Sequence, residues 1–79
     1  MYKSPMEYTK ENISEVMNKP IKIFIGKWGS DEISEEINGE IIRCTVAANP
    51  PFLPATVRVR VGNGERSFSI AEIKRFEDI

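Results

Sequence analysis

The sequence predicts a mainly β (α+β) domain, a small curled sheet or barrel of five strands preceded by one N-terminal helix. Three stretches carry this reading. Val57, Val59 and Val61 alternate with Thr56, Arg58 and Arg60, the period of two that gives a strand one dry and one wet face. Gly62-Asn63-Gly64 follows as a turn, and Ser67-Phe68-Ser69-Ile70 resumes the same period, which is the pattern of a hairpin. Directly after Pro20, Ile21, Ile23 and Ile25 alternate with Lys22 and Phe24. The valines and isoleucines are expected to share one interior and to leave the arginines in water.

The elements follow in chain order. Residues 1–8 carry no period and read as a loose arm. Residues 9–19 read as a helix: Thr9 is a candidate N-cap, Tyr8 and Ile13 stand where a hydrophobic staple would, and Ile13, Val16 and Met17 form one apolar stripe. Pro20 stops it. A helix of about ten residues does not stand alone in water, so it must pack on the sheet. Residues 20–79 then form the curled sheet. The first strand holds the three isoleucines, and Gly26-Lys27-Trp28-Gly29-Ser30 breaks it. Asp31, Glu32, Glu35 and Glu36 form an acidic stretch, read either as a short helical turn or as the tip of a long hairpin. The second strand starts near Ile37, turns or bends at Asn38-Gly39 and runs to Ala47. Asn49-Pro50-Pro51-Phe52-Leu53-Pro54 is a stiff loop, because its prolines donate no backbone hydrogen bond. The valine hairpin follows, then one tight helical turn at Ala71-Glu72-Ile73 and a fifth strand within 74–79 that closes the sheet.

At 79 residues there is room for a single domain with a thin core. Such a core favours a groove or a flat face over a deep substrate cavity. The 11 basic and 12 acidic side chains leave a net charge of −1, which imposes neither a nucleic-acid nor a membrane partner. The one cysteine, Cys44, excludes an intramolecular disulfide, sits in a strand pattern, and reads as a small buried apolar residue in a reducing compartment. The first residues lack an apolar signal core, and no apolar run approaches the ~18 residues of a membrane span. A cytoplasmic protein is expected.

No histidine is present, which removes the side chain best suited to proton transfer near neutral pH and the commonest metal ligand. One cysteine builds no zinc site, Gly62-Asn63-Gly64 is too short for a phosphate loop, and the acidic stretch lacks calcium-loop spacing. The sequence therefore points to no enzyme, no metal and no cofactor.

Two kinds of interaction remain. Trp28, between glycines, either folds back to cap the core or stands out as an anchor for a protein partner; Phe52, framed by prolines, carries the same two alternatives. Arg58 and Arg60 point away from the valines. With Lys22, Arg66 and also Arg43 on their face they would form a basic patch, with Trp28, Phe24 and Phe52 as stacking groups for single-stranded RNA or DNA. The alternative is cross-strand pairing with Glu40, Glu65 or Glu72. The main reading is a non-catalytic interaction domain whose partner is another protein; a single-stranded nucleic-acid module is the alternative. The oligomeric state stays open, since a C-terminal edge strand invites a second chain.

The order helix, strand, long loop, bent strand, loop, hairpin resembles small barrels of the SH3-like and Sm-like kind. More narrowly, four pieces resemble the C-terminal part of the YolD-like proteins of Gram-positive bacteria and their phages: Ile13-Ser14-Glu15-Val16-Met17, Pro20-Ile21-Lys22-Ile23-Phe24, Asn38-Gly39-Glu40-Ile41-Ile42, and Ile70 through Ile79. The resemblance implies a prophage or mobile-element origin and a non-enzymatic accessory role beside a protein partner.

Overall fold

The computed structural model describes residues 2–50 and 53–79. Five antiparallel strands form one sheet: β1 (Pro20–Ile25), β2 (Glu35–Val46), β3 (Pro54–Val61), β4 (Gly64–Ser69) and β5 (Ile73–Glu77). Their spatial order is β4-β3-β2-β1-β5. β2 is the pivot. Its first half, 35–40, pairs with β1, and its second half, 40–46, pairs with β3; Glu40 alone is paired on both sides.

This handover bends the strand. Gly39 faces inward opposite Ile21, and a Cβ there would lie 2.5 Å from the Arg60 carbonyl oxygen and 2.9 Å from Val59 Cγ1. Only a residue without a side chain lets β3 approach so closely. Three residues further, the β2–β3 register slips at Ile42, so that Ile41 faces Val59 and Arg43 faces Arg58. A one-residue slip of this kind bends a strand and re-aims its side chains.

The two alternating stretches bury one side, as the sequence predicts. Ile21, Ile23, Ile25, Ile41, Val57 and Val59 pack with Phe68, Ile70, Ile73 and Phe76 in one cluster. Cys44, opposite Val57, packs at its margin, and burial pushes its thiol pKa up. The tight turn before the last strand is present as a 3-10 turn at Ile70–Glu72. There the Ser69 hydroxyl accepts from the Ala71 N–H, and the Glu72 carboxylate accepts from the Ser69 N–H.

The N-terminal helix expected over 9–19 is not formed. Within that span only Ile13–Val16 coil, as a 3-10 turn. The apolar stripe covers a single turn, and Thr9, Ile13 and Val16 are β-branched. The Asn12 side-chain oxygen accepts from the Thr9 N–H (2.6 Å) and the Ile13 N–H reaches the Thr9 carbonyl (2.9 Å), so a single turn starts at Thr9 and is not propagated. Asn18 then adopts a left-handed φ of 59°, and Met17 bridges Ile41 instead of continuing a helix. The preceding segment is docked. Pro5 and Tyr8 are buried, Tyr8 lies edge-on to Phe76, and the Tyr2 hydroxyl donates to Asp78 (2.7 Å). The expected barrel closure is likewise absent, because β5 pairs with β1 and does not reach β4. The sheet is open, with β4 and β5 as its edges.

Candidate functional site

Trp28 is 77% exposed, the largest exposed apolar side chain described. Local chemistry puts it there. The Ser30 N–H donates to the Lys27 carbonyl (3.1 Å), closing a four-residue turn whose third residue, Gly29, has a φ of +80°. Those are the marks of a type II turn, which needs glycine at that position and leaves Trp28 at the outer corner. The turn is tethered on both flanks. Gly26 N–H donates to the Glu72 carbonyl (2.8 Å), Ser34 N–H to the Ile25 carbonyl (2.8 Å), and the Lys74 ammonium to the Lys27 carbonyl (2.7 Å). Asp31 and Glu32 therefore lie in the connection of a long hairpin while Glu35 and Glu36 open its second strand, and the indole is held outward by a braced loop.

Beside this loop lies a groove of about 420 Å³, floored by Ile25 and Phe68 and walled by Lys27, Glu35, Arg66 and Glu72. The Arg66 guanidinium straddles its rim. It grips Glu35 through both oxygens, one of them at 2.9 Å, and stacks over the Phe68 ring at 4.9 Å. The same bridge holds the Glu35 carboxyl below the usual glutamate range and raises Arg66 above its own. The groove thus offers an apolar floor beside a fixed ion pair, and the Trp28 turn, at Lys27 and Ser30, lines its edge.

The four basic candidates do not form one patch. Arg66 pairs in register with Val59, so it lies on the core face of β4, opposite to Arg58 and Arg60. Lys22, Arg58 and Arg60 lie on the outer face, where Lys22 meets Glu36 (3.4 Å) and Arg58 meets Glu65 (3.3 Å). Arg60 stands between Glu40 and Glu65 in the register and makes no ion pair among the described residues. Phe24 is on this outer face too, but Arg75 covers its ring at 4.1 Å and it is buried. It has no free face on which a base could stack. Phe52, the second candidate anchor, lies outside the described residues.

Arg43 shares the outer face with Arg58, as the basic-patch reading has it, but through a slip that sequence reasoning does not show. Without the slip at Ile42, Arg43 would face Val57 and the interior; with it, Arg43 stands beside Arg58. Nothing in the residue types around Ile41-Ile42 marks a bulge. Among the described residues no cluster of three or more histidine, cysteine or acidic groups is arranged to hold a metal ion, and no helix is long and apolar enough to cross a membrane. No family model, curated protein or solved structure matches the chain.

Proposed function

We propose that this chain is a small non-catalytic interaction domain that binds another protein through the Trp28 loop and the groove beside it. The observation that carries the reading is the braced exposure of Trp28. Exposing an indole forgoes about 1.5–3 kcal/mol of burial, and a thin core has little to spare. Aromatic anchors of this type, with a rigid backbone and low ordering entropy, dominate the energetics of protein interfaces. The strand order, the bent second strand and the 3-10 turn before β5 support reading the sheet as SH3-like in its succession of elements, though open between β4 and β5. The YolD-like resemblance supports an accessory role for it in the cytoplasm of a Gram-positive bacterium or under its phage. The single-stranded nucleic-acid reading is weaker, since Lys22 and Arg66 are tied to carboxylates and Phe24 is covered.

The test compares wild-type chain with Trp28→Ala as bait, followed by titration of the purified captured protein. Trp28 is the sole tryptophan, so its emission reports binding directly. A partner held by the wild type only, with a blue shift of that emission on titration, is the expected result. Identical capture by both chains, or binding with unshifted emission, refutes the proposal.

A further inference from the structure

The outer face of β2, β3 and β4 is ordered in three rows by the strand register. Glu40, Arg60 and Glu65 stand side by side in the first. Arg43, Arg58 and Ser67 form the second, and Thr45, Thr56 and Ser69 the third. The first row alternates in sign with a formal charge of −1, and its Glu65 reaches Arg58 in the second row (3.3 Å). The second sets two guanidinium groups opposite each other, an arrangement that destabilises a sheet. It exists only because β2 slips by one residue at Ile42. Arg43 has no carboxylate within ion-pair distance among the described residues, and Arg58 has one, Glu65, at 3.3 Å. Between the second and third rows lies a depression of about 180 Å³, lined by Arg43, Thr45, Thr56, Val57, Arg58 and Ser67. Five of those six side chains donate hydrogen bonds, and none carries negative charge.

We propose that this depression binds a phosphate group. The two guanidinium forks would grip its oxygens from β2 and β3, while the hydroxyls of Thr45, Thr56 and Ser67 donate to the remaining ones. Charge-assisted forks of this kind match the geometry of phosphate and are among the stronger hydrogen bonds proteins make. A dianion between Arg43 and Arg58 also removes their mutual repulsion, so binding and sheet stability are linked. The three rows contain no aromatic side chain, so recognition rests on the phosphate and not on a base stacked beside it. The site is separate from the Trp28 loop and stands or falls independently of the protein-binding proposal.

Inorganic phosphate is the probe, compared with chloride at matched ionic strength and pH 7, read by thermal unfolding and calorimetric titration. Phosphate is expected to raise the Tm. Arg43→Gln is expected to weaken phosphate binding at least tenfold and, in chloride, to unfold no earlier than wild type, because a like-charge contact is relieved. Arg60→Gln, on the neighbouring strand β3 and flanked by Glu40 and Glu65 in the first row, is expected to keep the response. Equal Tm in the two salts, an undiminished response in Arg43→Gln, or loss of response in Arg60→Gln overturns the site; the last would reveal a general charge effect. Methyl phosphate and dimethyl phosphate distinguish the source. Binding of the monoester alone supports a terminal phosphate, equal binding of both supports a phosphodiester backbone, and binding of neither overturns the proposal.

Discussion

Replacing Gly39 with alanine tests the bend on which the whole arrangement depends. The added methyl would sit 2.5 Å from the Arg60 carbonyl oxygen, 3.4 Å from its carbon and 2.9 Å from Val59 Cγ1. Two of these atoms belong to the backbone of β3 and cannot swing aside. Contact at ordinary van der Waals distance requires β2 and β3 to part by about 1 Å at the one place where Glu40 is paired on both sides. Overpacking of this sort costs about 1–3 kcal/mol. The reduced freedom of the unfolded chain returns about 0.4–1 kcal/mol, leaving a net loss near 1–2 kcal/mol. For a domain of this size that is a fall in Tm of about 5–15 °C. Gly64→Ala is the control, since a Cβ there meets nothing within 4 Å, and its Tm should match or slightly exceed that of the wild type. Thermal and urea unfolding followed by far-UV circular dichroism measure both variants. A Gly39→Ala protein that melts within 2 °C of the wild type would refute the close crossing of β2 and β3.

Three further outcomes follow from the same geometry. Trp28→Ala should leave stability within about 0.5 kcal/mol of wild type, as for other exposed side chains without partners, which calorimetry checks; a larger loss would place the indole in the core. Glu35 has a pKa lowered chiefly by its hydrogen bond from Arg66, so the bridge stabilises above the ordinary glutamate range and is lost as the pH falls through the lowered value. Glu35→Gln should therefore melt earlier than wild type at neutral pH and converge with it in acid, and coincident curves at pH 7 would sink the idea. Tyr8 has a pKa raised chiefly by burial, so its neutral phenol supports the fold up to about pH 10, and that support fades as alkali ionises it. Tyr8→Phe should blunt alkaline unfolding while losing the hydrogen bond accepted from the Lys3 N–H (3.1 Å), about 0.5–1.5 kcal/mol; unchanged alkaline behaviour would contradict it.

The β architecture was legible because alternation is a local signal. Ile21, Ile23 and Ile25, and Val57 and Val59, each place one face in the interior whichever strands lie beside them, since successive side chains in a strand point to opposite sides. The Gly62-Asn63 turn likewise acts within its own hairpin. The expected helix failed for the converse reason. Thr9 to Lys19 has an apolar stripe but too few residues to offset nucleation, so docking of Ile13 and Val16 into the sheet prevailed over propensity.

The candidate sites were legible in part. That Trp28 and the arginines are the chemically telling side chains follows from residue type, but which of them face the same way does not. Arg66 and Arg58 are alike in residue type, yet Arg66 shares its side of β4 with buried Phe68 while Arg58 alternates with buried Val57 and Val59, so one lies on the core side and the other outward. Arg43 reaches Arg58 only through a slip at Ile42 that the residues around it do not announce. Side-chain alternation is written into each strand by covalent geometry. Register, bulges and the handover along β2 come from how one strand meets another across long stretches of chain, and they settle only when the shared interior is packed.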